Sequence, residues 1–277
     1  MTDSNALQRQ TIAFIGGGNM ASAIIGGLLR QGLAPAQIEV VEPFADARTR
    51  LQSQFGVAAH EQAGPQLARA ELVVWAVKPQ TFRQAALQAG GHTKGALHLS
   101  VAAGIRSDSI AAWLGVDRIV RSMPNTPALV GKGMTALFAR PGVTAGDREL
   151  VEQVVATTGE SLWVQEESQL DAVTALSGSG PAYVFFFLEA MTRAGVEMGL
   201  SAQQAHKLAV GTFVGASELA RASEDPPQVL RQRVTSKGGT TYAAITSMEQ
   251  DGLQAQFVKA LHAARARARE LGDEFGA

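Results

Sequence analysis

The sequence predicts an α/β protein in which an N-terminal, Rossmann-like doubly wound sheet precedes a C-terminal all-α domain. Short apolar runs alternate with helical stretches through the first 165 residues, and a glycine-rich loop directly follows the first run. After Val164 the strand-like runs stop, and the remaining sequence is rich in Ala, Leu, Met, Gln and Arg at helical spacing. Alternating strands and helices are typical of a largely parallel sheet covered by helices on both faces.

Seven runs of aliphatic and β-branched residues are predicted to form the strands of this sheet. They are Thr11–Ile15, Ile38–Glu42, Leu72–Val77, Leu97–Val101, Arg118–Ser122, Thr135–Phe138 and Leu162–Val164. The first five are almost continuously apolar, which is typical of parallel strands that are buried on both faces.

Six helices are predicted for the C-terminal part of the chain, where apolar residues recur at helical spacing. They lie near residues 167–176, 181–199, 202–223, 227–234, 240–250 and 254–271. Pro181, Ser201 and Pro227 lie at positions that favour the start of a helix. We therefore divide the chain into a sheet-containing domain, residues 1–165, and a helical domain, residues 166–277.

The composition excludes several classes of function. The 277 residues are 46% hydrophobic with a formal net charge of −1, which gives no general attraction for nucleic acid or an anionic membrane. Cysteine is absent, which excludes disulfides, zinc–thiolate sites and a catalytic thiol. Met1–Gln10 lacks the apolar segment of a secretory signal, and the longest apolar run, Val184–Leu188, is too short to span a bilayer. We therefore expect a cytoplasmic protein with neither a membrane nor a nucleic-acid partner.

The first glycine loop has the pattern of a dinucleotide-binding site, G-x-G-x-x-A over Gly16–Ala21. Gly16 suits the tight turn after the first strand, and Gly18 allows the backbone to approach a pyrophosphate closely. Ala21 is small enough for close packing of helix on strand, and the helix N-terminus offers N–H donors to an anion. Residues 1–165 are therefore predicted to be a dinucleotide-binding domain.

Residues at the ends of the second and third strands would lie near the cofactor, but they do not distinguish NAD from NADP. Glu42 ends the second strand, where a carboxylate that binds the ribose would favour NAD over NADP. Arg48 and Arg50 follow and would instead suit a 2′-phosphate, while a solvated Glu42 is an equal alternative. Ala76–Gln80 ends the third strand in Lys-Pro at the edge where a dinucleotide passes, although a simple loop start also explains it.

A second glycine loop, Val234–Ala244, lies in the helical part of the chain. Ser and Thr flank a Gly-Gly pair there, and a helix follows. The backbone N–H groups of Gly239, Thr240 and Thr241 would converge on a small anion such as a carboxylate, although a capping turn is the alternative. Ser177–Tyr183 is another Gly-Ser turn, for which simple helix initiation is the alternative.

Six segments together resemble the pyrroline-5-carboxylate reductase family, which catalyses the last step of proline biosynthesis. They occur in family order and cover almost the whole chain: Phe14–Met20, Ala76–Pro79, Ser100–Gly104, Met123–Pro127, Ala175–Tyr183 and Val234–Thr241. The resemblance implies a Rossmann domain and an interlocked helical dimer. It also implies reduction of 1-pyrroline-5-carboxylate to L-proline, with NADPH as the reductant and NADH as the alternative.

The resemblance also implies roles for the residues of both glycine loops. The cofactor would contact Gly16, Gly18, Asn19, Met20, Ala76, Val77, Lys78 and Pro79. The substrate would contact Ser236, Gly238, Gly239, Thr240, Thr241 and Glu224, and Thr241 would be the catalytic residue that offers its hydroxyl to the ring nitrogen. No metal site is expected.

Two positions depart from the family pattern. Ala63 stands where the family commonly has an Asn that contacts the adenosine end of the cofactor, and Gln62 is the nearest replacement. Lys237 stands where the family often has Pro, and it is either solvated or favourable for an acidic substrate.

Two other functions compete with this interpretation. The β-hydroxyacid dehydrogenases share the two-domain plan, but the positions of their catalytic Lys and Asn are occupied here by Val184 and Leu188, so no base is available for a hydroxyl proton. A non-catalytic NADP-sensing protein would keep the first glycine loop without needing the anion site at 236–241.

The assembly prediction comes from one helix. Residues 183–188 are consecutive large apolar side chains, which cover all sides of a helix and exceed what one small domain can bury. We therefore expect an obligate homodimer through residues 165–277, either alone or built into a larger ring.

Overall fold

The computed structural model describes Leu7 and residues 10–276. Its sheet contains β1 (Ile12–Ile15), β2 (Ile38–Val41), β3 (Ala59–His60), β4 (Leu72–Trp75), β5 (Leu97–Ser100), β6 (Ile119–Met123), β7 (Gly133–Ala139) and β8 (Gly159–Trp163). The expectation that Met1–Gln10 is not a secretory signal falls almost wholly outside the described residues.

Eleven α-helices are found among the described residues. Those between the strands are α1 (Asn19–Arg30), α2 (Ala45–Phe55), α3 (Pro79–Ala89), α4 (Ser107–Leu114) and α5 (Ala145–Ala156). Those after the sheet are α6 (Gln169–Val173), α7 (Gly180–Glu197), α8 (Ala202–Ala222), α9 (Pro227–Arg233), α10 (Thr240–Gln250) and α11 (Leu253–Phe275).

The sheet has the order β3-β2-β1-β4-β5-β6-β7-β8, and its chain direction reverses at the antiparallel β6–β7 pair. All other neighbouring strands are parallel. The strand order turns back at β1, between β2 and β4, which is the switch point where doubly wound sheets bind ligands at the carboxyl ends of strands. The predicted fold class is therefore confirmed.

Both faces of the sheet are buried, as the apolar strands predict. Along β1, Ile12 and Phe14 belong to one hydrophobic cluster, whereas Ala13 and Ile15 belong to another. This alternation follows from the two-residue period of a strand, which sends successive side chains to opposite faces. Covering helices on both faces thus hold β1, and the loop that follows it, in a fixed position.

One strand and one helical irregularity were not predicted. β3 is only two residues long and pairs with β2, so it carries too little sequence pattern to be recognised. The predicted helix 167–176 is α6 followed by a turn of π-helix, Thr174–Gly178, in which the Ser179 N–H donates to the Thr174 carbonyl at 2.8 Å. At Ser177–Tyr183 the π turn ends and α7 begins at Gly180, so the alternative of simple helix initiation holds there and a separate Gly-Ser turn does not.

Two of the predicted helix starts have their expected chemistry. The Ser201 side chain accepts the Gln204 N–H at 3.3 Å while the Gln204 side chain accepts the Ser201 N–H at 3.0 Å, which is a capping box. Pro227 is the first residue of α9, where its missing N–H costs nothing.

Contacts group the chain into two compact units. One comprises Met1–Ser179 with Ala264–Ala277, and the other comprises Gly180–Ala263. The predicted boundary at residue 165 follows the end of β8 instead, and as a division into domains it stays a prediction.

A buried histidine makes the stability of the sheet unit depend on pH. His98 on β5 is fully buried, accepts the Trp75 Nε1–H at 3.0 Å through Nδ1, and donates from Nε2 to the Thr93 carbonyl at 3.1 Å. Burial lowers the pKa of His98 to about 4, and the positive charge of Arg118 adds to the shift against the opposing Thr93 hydrogen bond. The imidazole is therefore neutral in the folded protein at pH 7.

We expect this histidine to weaken the fold as the pH falls from about 6.5 to about 4. In that pH range His98 is protonated in the unfolded chain but stays neutral in the folded chain. The free energy of unfolding therefore falls by about 3 kcal/mol in total. Urea unfolding of wild type and His98→Gln at pH 7 and pH 4.5 measures this loss, which should be smaller in the variant. His262→Gln, at an exposed position, is the control, and an equal pH dependence in all three proteins would contradict the assignment.

Candidate functional site

The turn after β1 requires glycine at position 16. Gly16 has φ +98°, a conformation that L side chains rarely adopt, and its N–H donates to the Val41 carbonyl at 2.8 Å. A Cβ added there would lie 2.6 Å from the carbonyl oxygen of Ala76. The first glycine therefore brings the β1–α1 loop directly against the residue that follows β4.

At Gly18, neither the backbone conformation nor the packing of the chain requires a glycine. Its backbone is extended, with φ −74° and ψ −169°, which any residue adopts, and a Cβ added there would meet nothing within 4 Å. The absence of a side chain at Gly18 keeps open the space in front of the loop. A ligand backbone or phosphate placed there would use that space, as the spacing of the motif predicts.

The start of α1 suits an anion. The helix begins at Asn19, and Gly18 at its N-cap offers no side-chain acceptor, so the amides of Asn19, Met20 and Ala21 lack both a helical partner and a side-chain cap. No acidic residue lies in the first turn, so the positive end of the helix dipole is not offset. Gly16 and Gly17 donate to the chain itself, which leaves the amides from Gly18 onward for a ligand.

The second predicted cofactor segment lies beside this loop. The Ala76 N–H donates to the Ile15 carbonyl at 2.8 Å, so the residues after β1 and β4 leave the sheet side by side. Lys78 is the N-cap of α3, and Pro79 is its first residue, where proline is tolerated. The structure therefore brings Gly16–Met20 and Ala76–Pro79 together at the switch point of the sheet.

Of the residues considered for the adenosine end of the cofactor, Glu42 and Arg48 form hydrogen bonds with the chain itself. Glu42 is buried, and its carboxylate accepts two backbone N–H groups. The Arg48 guanidinium donates to the carbonyls of Glu42 and Pro43 at 2.9 and 2.7 Å, whereas Arg50 is exposed. Ala63 packs against the core, and Gln62 beside it is exposed.

Asn125 is a residue whose importance was not predicted. Its Nδ2 donates to the Ser177 carbonyl at 3.1 Å, and its Oδ1 accepts the Met134 N–H at 2.9 Å. It thereby holds the π turn against the segment after β6, where a Cβ at Gly178 would lie 2.5 Å from Met123 Cε. Its segment, Met123–Pro127, is one of those that resemble the family, but no role of its own was predicted for Asn125. π turns often occur at functional sites.

The second glycine loop has the geometry of a helix start, with one correction to the predicted donors. Gly238 has φ +75°, and the Gly239 N–H donates to the Ser236 carbonyl at 3.0 Å, so that amide closes the turn and does not serve an anion. α10 begins at Thr240, and Gly239 at its N-cap provides no side-chain cap. The first-turn amides, including those of Thr240 and Thr241, have no helical acceptor.

The side chains of this loop differ in exposure. Ser236, Lys237 and Thr240 are exposed, whereas Thr241 is half-buried on the first turn of α10. Glu224 is exposed in the link between α8 and α9, and no hydrogen bond or ion pair found among the described residues joins it to the loop. Its neighbour Asp225 forms an ion pair with Arg233, 2.6 Å between Nη1 and Oδ2. A substrate role for Glu224 stays a prediction.

Comparison with known proteins decides the family. A family model described as pyrroline-5-carboxylate reductase dimerisation matches residues 167–271, and one described as NADP oxidoreductase, coenzyme F420-dependent, matches residues 11–104. The pyrroline-5-carboxylate reductase of Pseudomonas aeruginosa is 44% identical over 267 residues, which are 96% of this chain and 98% of that relative. The chain belongs to the pyrroline-5-carboxylate reductase family.

Solved structures of this family have the same fold. The pyrroline-5-carboxylate reductase of Coxiella burnetii has a TM-score of 0.88 at 38% identity, covering 95% of this chain and 98% of that one. The pyrroline carboxylate reductase of Plasmodium falciparum, solved with NADP bound, has a TM-score of 0.85 at 26% identity, covering 96% and 99%. The chain is therefore assigned to this family and not to the β-hydroxyacid dehydrogenases.

The helical unit carries the apolar surface that a pyrroline-5-carboxylate reductase dimerisation segment would need. Large hydrophobic side chains are exposed on several of its helices: Phe185, Phe186, Met198, Leu208, Val214 and Leu219. Phe187 instead packs edge-on against Phe257 on α11, with 5.8 Å between ring centroids. No described helix is both long enough and apolar enough to be a candidate for crossing a membrane.

Proposed function

We propose that the chain is an NAD(P)H-dependent reductase that converts 1-pyrroline-5-carboxylate to L-proline, the last step of proline biosynthesis. The observation that carries this proposal is the 44% identity to the Pseudomonas aeruginosa reductase over nearly the full length of both chains. NADPH is the reductant that we propose first, because a family neighbour binds NADP, and NADH is the alternative. We also propose a cytoplasmic location, and the net charge of −1 gives no general attraction for nucleic acid.

The residues of the first site fit a dinucleotide. Gly18 leaves open the space that a Cβ would fill, and the amides at the start of α1 are suited to a pyrophosphate. We assign cofactor contacts to this loop and to the segment beside it: Gly16, Gly18, Asn19, Met20, Ala76, Val77, Lys78 and Pro79. Gly16 acts through the turn that it permits, since its own amide is used within the chain.

The start of α10 is assigned to the substrate carboxylate. The amides of Thr240 and Thr241 offer donors at the positive end of the helix dipole, and no acidic side chain lies in the first turn. Gly238 and Gly239 shape the turn, Ser236 adds a hydroxyl, and Glu224 is the acidic residue assigned to the ring nitrogen. Lys237 is exposed beside the loop and adds a positive charge that favours an anion.

Thr241 is assigned the role of orienting the ring. Bound NAD(P)H supplies the hydride that reduces the C=N bond. The imine nitrogen can take its proton from water before binding, and a neutral threonine hydroxyl is a poor acid. The Thr241 hydroxyl therefore contributes one hydrogen bond to the ring nitrogen, and the chain supplies position and charge complementarity for the rest.

Substrate selectivity tests the proposed function. Purified protein should oxidise NADPH when given 1-pyrroline-5-carboxylate, and should not reduce NADP⁺ when given a panel of β-hydroxy acids. The second half of this measurement excludes the dehydrogenase alternative, and the first half excludes a non-catalytic NADP-sensing protein. Turnover with a β-hydroxy acid but not with the cyclic imine would contradict the proposal.

We further propose that the helical segment forms a homodimer through residues 165–277. The family model that matches this segment is a dimerisation model, and Phe185 and Phe186 are 58% and 67% exposed in the single chain. Large contiguous apolar patches on a protein surface mark sites of interaction, whereas single exposed apolar residues do not. A larger ring built from such dimers is the alternative assembly.

Light scattering at micromolar concentration should therefore give a mass of at least two chains. Phe186→Asp should shift the protein toward the single-chain mass, because a carboxylate in an apolar interface lacks a partner. Phe44→Asp is the matched control, since Phe44 is 73% exposed in the sheet unit and should leave the mass unchanged. A wild-type protein that stays a monomer would rule out the dimer.

A further inference from the structure

The carboxylate of Glu42 connects the β1–α1 loop and the β2–α2 loop, which lie at the switch point of the sheet. Glu42 directly follows β2, and the residue is only 6% exposed. Its Oε2 accepts the Gly17 N–H of the β1–α1 loop at 2.7 Å, and its Oε1 accepts the Phe44 N–H of the β2–α2 loop at 2.9 Å. Each oxygen of the carboxylate therefore holds the backbone of a different loop.

The packing around Gly17 supports a structural use of this contact. A Cβ added at Gly17 would lie 2.7 Å from Leu51 Cδ1 and 3.3 Å from the Glu42 side chain. The middle glycine of the motif is therefore present so that the loop can approach Glu42 and α2, whereas Gly18 leaves space on the ligand side. Glu42 thus fixes the shape of the loop whose next amides are offered to the pyrophosphate.

The β2–α2 loop is also held from its other side. Arg48 Nη1 donates to the carbonyls of Glu42 and Pro43 at 2.9 and 2.7 Å, and Arg48 Nη2 lies 3.3 Å from Glu61 Oε2. Among the described residues the Arg48 guanidinium forms no ion pair with the Glu42 carboxylate, and it instead fixes the backbone of Glu42 and Pro43. Glu42 in the loop and Arg48 on α2 thus both fix the conformation of the loop.

An acidic residue at this place in a doubly wound fold ordinarily accepts a hydrogen bond from the adenosine 2′-hydroxyl and so selects NADH. Here Glu42 is only 6% exposed, and each of its carboxylate oxygens already accepts a charge-assisted backbone hydrogen bond, buried at Gly17 and partly buried at Phe44. Such hydrogen bonds are about twice as strong as neutral ones. We infer that Glu42 is a positioning residue that supports the binding of NADPH and NADH equally and does not recognise the 2′ position. This inference rests on the proposed function only in assuming that the first loop binds a nicotinamide dinucleotide.

The test compares both cofactors in one variant. Glu42→Gln keeps the shape of the side chain but retains only one carbonyl oxygen, so one of the two amides loses its acceptor. Fluorescence titration without imino acid should show NADPH and NADH both binding about tenfold to a hundredfold more weakly, by the same factor. Glu149→Gln removes an exposed carboxylate on α5 that forms no hydrogen bond or ion pair with either loop among the described residues, and it should leave both affinities unchanged.

Three outcomes would overturn the inference. A loss that is more than about tenfold larger for NADH than for NADPH would make Glu42 a ribose-binding residue. Unchanged affinity for both cofactors would show that the two hydrogen bonds do not position the loop. If Glu42→Gln does not fold, wild type provides the answer: an NADH analogue without the adenosine 2′-hydroxyl should bind as NADH does, and a tenfold weaker affinity would contradict the inference.

These measurements stand apart from the reaction itself. Because binding is titrated without 1-pyrroline-5-carboxylate, a failure to reduce the imine would leave the result for Glu42 intact. Equally, a normal rate of proline formation would not rescue the inference if the cofactor ratio changed.

Discussion

Gly18→Val should lose NADPH binding by at least about 100-fold, or roughly 2.7 kcal/mol, while the protein stays folded. The backbone at Gly18 has a negative φ that valine tolerates, and a Cβ there meets no protein atom within 4 Å. The two branches of valine would instead fill the space in front of the amides that begin α1. Fluorescence titration with NADPH measures the affinity, and a thermal melt checks the fold.

Gly91→Val is the matched control for this substitution. A Cβ at Gly91 also meets nothing within 4 Å, and Gly91 is exposed in the turn between α3 and β5, away from the glycine loop. Its NADPH affinity should equal that of wild type. An unchanged affinity in Gly18→Val would show that the open space at this loop is not where the cofactor binds.

Thr241→Ala should lower kcat/KM about tenfold to a hundredfold, with Thr241→Ser giving a smaller loss. A hydroxyl that only orients a charged ring nitrogen contributes one hydrogen bond, worth about 1.5–3 kcal/mol. A hydroxyl that donated the essential proton would instead cost about 10²–10⁴ in rate. The smaller loss is expected because the imine can be protonated by water and Thr241 is only half-buried.

Thr246→Ala provides the control on the same helix. Thr246 is half-buried on α10 like Thr241, but it lies more than one turn beyond the first-turn amides. It should have wild-type kinetics, and binding of a product analogue should weaken only modestly in Thr241→Ala, since the backbone donors remain. Wild-type kinetics in Thr241→Ala would show that Thr241 only begins the helix and does not contact the substrate. Complete loss of turnover with intact ligand binding would show that Thr241 donates the proton to the ring nitrogen.

The parts of the molecule that follow from local pattern were predictable. Continuously apolar strands such as Ile12–Ile15 and Leu72–Trp75 indicate that both faces of the sheet are buried. The glycine loop after the first of them indicates the switch point of the sheet. Ser201 and Pro227 show their helix starts through capping chemistry and a fixed φ. In each of these cases the physical cause lies within a few residues of its effect.

The parts that depend on distant contacts were not predictable from pattern. The sequence left Glu42 open between a ribose ligand and a solvated carboxylate. Its contact with the Gly17 N–H, 25 residues away, could not be predicted from either alternative. Asn125 acquires its role from Ser177, 52 residues later. The amide of Gly239 was predicted to bind an anion, but the turn folds it onto the Ser236 carbonyl.

The stoichiometry of the reaction tests the proposed reduction of 1-pyrroline-5-carboxylate to L-proline most directly. Purified enzyme is given limiting 1-pyrroline-5-carboxylate with excess NADPH, and the NADPH consumed and the L-proline formed are both quantified. We expect one L-proline formed for each NADPH oxidised, and no NADPH oxidation when the imine is omitted. NADPH binding without proline formation, or oxidation that does not depend on the imine, would contradict this proposal.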